Sequence, residues 1–190
     1  MGRATVSAVK TCWVDIHGRA NKVGPTMSTS DLSFRLFVYG TLKRGGRYHA
    51  RYCSRATRIR AATVVGRLYE LNAGFPTIEI PQQSVLAGAT VDPARDAERA
   101  LRTRVDVCAP TEGRWTRVYG ELIEFPDPTT DVGPIDVLED FVPGRKRNLY
   151  KRVLAPVETD NLIIPAWLYI GDSCLLENAR FLEEGVWNAS

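Results

Sequence analysis

The segment Phe34-Arg35-Leu36-Phe37-Val38-Tyr39-Gly40-Thr41-Leu42-Lys43-Arg44-Gly45 changes character half-way along. Through Tyr39 it is rich in the aromatic and β-branched residues that suit a pleated surface, which predicts a strand over 34–39. Gly40 then offers a backbone conformation, and a closeness of approach, that a Cβ would forbid. Beyond it the chain is basic and polar. The amide N–H groups of a tight turn after a strand can converge on an anion or on a developing oxyanion. Many buried strands also end at glycine, so this turn alone does not separate the two uses.

Outward from that turn the pattern is mostly short strands split by glycine and proline. Arginines at 47, 51, 55 and 58, three or four apart, predict a short helix from Tyr48 to about Ile59 with one basic face. Strands are expected over Ala61–Leu71, Thr77–Ile80, Arg117–Phe125, Lys151–Val157 and Ile163–Ile170. Asp92-Pro93 fits the cap and first turn of a helix within Val91–Arg104. That helix and the Ala109–Arg114 turn read as an insertion. Pro126-Asp127-Pro128 stops a strand, Ile135–Phe141 reads as a short helix, and Asn178–Trp187 as a helix laid over the strands. Many short strands with two or three helices predict an α+β domain built on a small mixed β-barrel. Residues 1–33 lack a sustained period and are expected to be a leader or extension outside the fold, which leaves 34–190 as the domain.

Bulk properties exclude several classes. The chain has 190 residues, enough for one domain with a real core. A net charge of +3 is far below that of a dedicated nucleic-acid binder. No apolar run is long enough to span a membrane. Cys12, Cys53, Cys108 and Cys174 are scattered without metal-site spacing, which fits a reduced, cytoplasmic protein. The two histidines, His17 and His49, read as a leader residue and a turn or cap residue. Chemistry here must rest on carboxylates and backbone.

Six further motifs follow the first turn in order: Val65-Gly66-Arg67-Leu68-Tyr69, Gly74-Phe75-Pro76, Val118-Tyr119-Gly120-Glu121-Leu122, Ile135-Asp136-Val137-Leu138-Glu139-Asp140-Phe141, Tyr150-Lys151-Arg152-Val153 and Ala166-Trp167-Leu168-Tyr169. This series resembles the γ-glutamylcyclotransferase-like family, over roughly Phe34 to Ile170. The Tyr-Gly-Thr-Leu form is closer to its γ-glutamylamine branch. The resemblance implies a γ-glutamyl small-molecule substrate, release of 5-oxoproline without cofactor or metal, and a monomer or weak homodimer. It also implies that Glu139 is the catalytic general acid/base and that Tyr39, Gly40, Thr41 and Leu42 bind substrate.

The chemistry explains those residue types. An α-ammonium must lose a proton before it can attack its own γ-carbonyl, and a carboxylate in a partly apolar cleft, its pKa raised, can take that proton and return it to the leaving nitrogen. Backbone amides of residues 39–42 are candidates to hold the oxyanion. Asp136 reads as a helix-start or structural carboxylate. Tyr169 reads equally as a cavity-lining hydroxyl or as core, and Tyr150 and Arg152 as family positions or as packing and surface residues. Asp140 stands where many members of that family have glycine. The basic loop 142–148 reads either as a rim of the pocket or as a solvated loop. The competing class is a non-catalytic ligand-binding or regulatory module on the same fold.

Overall fold

A computed structural model describes residues 32–105 and 115–188. The expected leader up to residue 31, with His17, and the 109–114 turn lie outside them. Elements run β1 (Phe34–Val38), α1 (His49–Tyr52), β2 (Arg58–Glu70), β3 (Pro76–Glu79), β4 (Ala87–Gly88), α2 (Pro93–Arg102), β5 (Thr116–Phe125), α3 (Pro128–Leu138), β6 (Tyr150–Thr159), β7 (Leu162–Gly171) and β8 (Arg180–Leu182).

Five strands close on themselves in the order β2-β5-β1-β7-β6, with β6 returning to β2 through Thr63 opposite Glu158. β3 and β8 add to β2, and β4 adds to β6. The barrel is mixed because β1 runs parallel to β7, with Leu36 beside Trp167, and antiparallel to β5, with Phe34 opposite Phe125. Closure removes the exposed ladder edges that an open sheet of these strands would leave. The β6–β7 hairpin turns through Asp160 and Asn161, both at positive φ (50° and 61°), as a two-residue turn matched to strand twist demands.

The central strands bury both faces. Phe34, Leu36 and Val38 of β1 join Ile123, Phe125, Leu154 and Trp167 under Ala97, Ala100, Val132 and Ile135 of the helices. The alternate residues, Phe37, Leu122, Val153, Ala155 and Leu168, pack with Ile78, Ile80 and Trp187. Burial on both faces explains why β1 is apolar at every position but Arg35. Each large side chain buried this way contributes about 1.5–3 kcal/mol of transfer free energy.

Three sequence expectations are corrected. The helix over 48–59 is a single turn, His49–Tyr52, and the chain is already strand by Arg58; pairing of Ile59 with Ile123 on β5 outweighs the spacing of the arginines. The helix near Glu139 begins at Pro128, not Ile135, and Glu139 is its C-cap. Asp127 caps it by accepting from the Thr130 amide, so Asp127-Pro128 repeats the Asp92-Pro93 signature of α2. Gly133-Pro134 inside the helix hid its true length, since both residues disfavour helix interiors. Finally, 178–187 is not helical: Arg180–Leu182 adds as β8 to β2, with Leu182 opposite Leu68, and Trp187 is buried.

Candidate active site

The end of β1 and the end of α3 meet at a cavity of about 240 Å³. Its lining includes Tyr39, Gly40, Thr41, Leu42, Glu139 and Tyr169, so every site residue expected from sequence stands at one place. Phe75, Pro76, Tyr48, Leu149 and Tyr150 also line it.

The turn after β1 is built by Lys43 N–H donating to the Gly40 carbonyl and Tyr48 N–H donating to that of Thr41. His49 Nδ1 lies 2.7 Å from the Leu42 carbonyl. A carbonyl only accepts, so Nδ1 carries the proton, and His49 is a turn-holding residue. Among the described residues no protein acceptor takes the amides of Thr41 and Leu42. Gly40 is needed for close approach and not for an unusual φ. A Cβ there would come within 2.6 Å of Pro76 Cγ, and Pro76 is part of the cavity wall.

On the facing side α3 ends in a left-handed residue. Asp140 has φ 48°, its amide donates to the Val137 carbonyl, and the Phe141 amide donates to the Asp136 carbonyl. This paired cap requires glycine or a short polar residue at the left-handed position, which accounts for aspartate where glycine is common. The cap turns the chain sharply after Glu139, and buried Phe141 packs edge-on against Tyr169, their centroids 6.3 Å apart.

Electrostatics single out Glu139. Among the described residues no cation or hydrogen-bond donor pairs with its carboxylate. Burial, with the charge of Asp136 adding to it, raises its pKa to about 7. A helix C-terminus acts in the same direction, since its partial charge is negative. Tyr39, Tyr150 and Tyr169 surround the site with pKa values raised mainly by burial, and the Glu139 charge raises each further. Their hydroxyls are engaged elsewhere: Tyr39 donates to the Tyr169 carbonyl at 2.8 Å, Tyr150 to that of Pro76 at 2.8 Å, and Tyr169 to Asp136 Oδ1 at 2.6 Å.

Asp136 is not a helix-start residue. It lies in the last turn of α3, buried, with Arg152 Nε 3.0 Å from its Oδ1. Arg152 is itself buried, with Nη2 3.3 Å from Asp96, and its guanidinium lies 5.3–5.7 Å from the ring centroids of Phe34, Phe141 and Trp167. Both carboxylates are at ion-pair distance, yet none of the Arg152 N–H groups is aligned as a hydrogen bond. The sequence signal for this group was the Tyr-x-Arg pair, but nothing local in it distinguishes a buried arginine from a surface one. Among the described residues no cluster of three or more His, Cys, Asp or Glu side chains is arranged to hold a metal ion.

The family model described as "Gamma-glutamyl cyclotransferase, AIG2-like" matches residues 36–103 and 98–189, which carry both halves of this site. The chain belongs to this family. A curated relative, the Gamma-L-glutamyl-butirosin B gamma-glutamyl cyclotransferase of Niallia circulans, is 28% identical over 137 residues, 71% of this chain and 65% of that protein. The chain thus spans slightly less than two thirds of that relative. Among solved structures, an AIG2-like protein from Mus musculus is similar at 18% identity over 82% of this chain and 88% of its own, with a TM-score of 0.48. YkqA from Bacillus subtilis is similar at 22% identity over 82% of this chain and 39% of its own, also with a TM-score of 0.48. In this AIG2-like chain no helix among the described residues is long and apolar enough to cross a membrane.

Proposed function

We propose that this protein releases 5-oxoproline from a γ-glutamyl amine or γ-glutamyl amino acid, with residues 34–190 as the catalytic unit and 1–33 as an extension outside it. One observation carries the reading: Glu139, with no counter-ion among the described residues and a pKa near 7, shares a cavity with the free amides of the Thr41–Leu42 turn. A carboxylate poised near neutral pH both accepts and returns a proton efficiently.

The substrate arrives with its α-amine protonated. Glu139 accepts one proton, and the amine attacks the γ-carbonyl carbon, so a C–N bond forms and closes a five-membered ring. The carbonyl oxygen takes the negative charge and is held by the Thr41 and Leu42 amides. Glu139 then gives its proton to the leaving nitrogen as the exocyclic C–N bond breaks, and recovers the extra proton of the ring nitrogen before losing it to the released amine. The Tyr39, Tyr150 and Tyr169 rings with Phe75 and Pro76 exclude water and keep the glutamyl chain curled, so attack is already intramolecular and positioned.

The test is 5-oxoproline release from γ-glutamyl-ε-lysine, γ-glutamyl amino acids, glutathione and γ-glutamyl alkylamines, with Glu139→Gln alongside. Loss of general acid/base catalysis should lower kcat by roughly 10²–10⁴. Equal turnover by both proteins removes Glu139 from the mechanism. Binding without turnover by the wild type would make the protein a ligand-binding module.

A further inference from the structure

The cavity is small. At about 240 Å³ it falls below the roughly 300–1,000 Å³ that enclose a drug-sized ligand. On the cyclotransferase reading, which this inference rests on, it holds the γ-glutamyl portion and leaves the departing amine across its rim. The chemistry of that rim therefore selects the leaving group.

Two segments that supply residues to the cavity lining also carry exposed cations. Tyr48 lines the cavity and carries the Arg47 guanidinium over its ring at 5.4 Å. Tyr52, edge-on to Tyr48 at 6.1 Å, carries Arg51 at 5.3 Å. Leu149 lines the cavity from the other segment, two residues beyond the exposed Arg147 and three beyond Lys146. That second loop is tied down. Asn148 accepts from the Val142 amide at 2.9 Å and from Arg145 Nε at 2.8 Å, and Arg145 pairs with Asp140 at 2.7 Å, beside Glu139. Lys146 and Arg147 thus project into solvent from a loop whose ends are fixed, and none of residues 142–148 itself lines the cavity.

These four cations have no carboxylate partner among the described residues. Elsewhere Arg44, Arg55, Arg60, Arg67, Arg117 and Arg180 each face one within 4 Å. Arg95 and Arg99 of α2 are also unpaired, but α2 contributes no residue to the cavity. The nearby carboxylates Asp140 and Glu121 are taken by Arg145 and Arg44. The two segments that supply Tyr48 and Leu149 to the cavity thus carry four exposed cations without carboxylate partners, while Glu139 is the carboxylate within the cavity lining.

We propose that Arg47, Arg51, Lys146 and Arg147 make this protein select γ-glutamyl compounds whose leaving amine carries an anionic group a few bonds beyond the scissile amide. The discriminating probes share one four-carbon chain and differ only in end charge: the γ-glutamyl amides of 4-aminobutanoate, butylamine and 1,4-diaminobutane. The measurement is kcat/KM for 5-oxoproline release at low and at 0.5 M salt. Expected is the order acid, neutral, cation, with the acid favoured over the cation on the order of tenfold or more, and a ratio that shrinks with salt as exposed charges are screened. Replacing all four cations by glutamine should collapse the acid-to-cation ratio to about twofold, and that ratio is the readout. Equal turnover of the three, or preference for the diamine, overturns the specificity and leaves the cyclotransferase reading standing. No 5-oxoproline from any of the three, nor from the wider panel above, overturns both.

Discussion

Asp136 and Glu139 stand one helical turn apart at the end of α3, and among the described residues only Asp136 of the two has a counter-ion. Arg152 lies 3.0 Å from the first carboxylate, whereas the second faces the cavity without a partner among the described residues. The negative charge of Asp136 is one of the two causes that raise the Glu139 pKa. The proposed general base is thus tuned by a residue whose own carboxylate is engaged by Arg152 and Tyr169.

The acid limb of the pH–kcat/KM profile should follow. Glu139 must be ionised to accept a proton, so activity should fall as pH drops below about 7. Asp136→Asn removes a like charge and should move that limb to lower pH. A limb that stays in place, or moves up, would contradict the tuning.

Stability should respond to Glu139 in the opposite sense to activity. In the folded state its carboxyl keeps a proton up to about pH 7, whereas in the unfolded chain it loses it at the ordinary glutamate value. Between those values the native state binds more protons, so this group's contribution is full at low pH and is lost as pH rises through about 7. Glu139→Gln should therefore stabilise the protein at pH 8, by on the order of 1–3 kcal/mol after allowance for its partial exposure. The gain should nearly vanish at pH 5. Urea midpoints of both proteins at the two pH values check this.

Arg152 should be among the least replaceable residues. It lies buried between Asp96 and Asp136, so Arg152→Met leaves two buried carboxylates without their cation. The cost should be about 3–5 kcal/mol, as for other broken buried ion pairs. Arg152→Lys should recover only part of it, because one ammonium cannot span both carboxylates. A loss below about 1 kcal/mol in urea unfolding would show that the triad is not structural.

Gly40→Ala tests the cavity wall. The new Cβ would press Pro76, whose carbonyl accepts from the Tyr150 hydroxyl. Overpacking of this kind costs about 1–3 kcal/mol. Displacement of the wall should lower kcat/KM by roughly tenfold to a hundredfold. Wild-type turnover in this variant would mean that the close approach serves packing alone.

Much of this site was legible in order and spacing. Tyr39 to Leu42, Glu139 and Tyr169 stand around one cavity as expected, and the left-handed Asp140 is a cap that only glycine or a short polar residue fills comfortably. Pro76 and Tyr150 were visible as motif members but not as walls. Of the two readings of Asp136 the structural carboxylate holds and the helix start does not, because α3 already begins at Pro128 under its Asp127 cap.

The amino-acid sequence by itself determined where β1 ends, where α2 starts, and that many short strands with few helices make a small barrel. These follow from local preferences: φ restrictions, capping chemistry and the spacing of apolar residues. The choice of Glu139 came from the resemblance carried by the ordered motifs. Tertiary structure alone decided that β1 pairs parallel with β7, that 180–182 is a strand, that Arg152 is buried, and that Glu139 has no counter-ion among the described residues. Each depends on which distant segments exclude water from a residue. Charge burial and strand pairing are set by those neighbours and not by the residue's own stretch of chain.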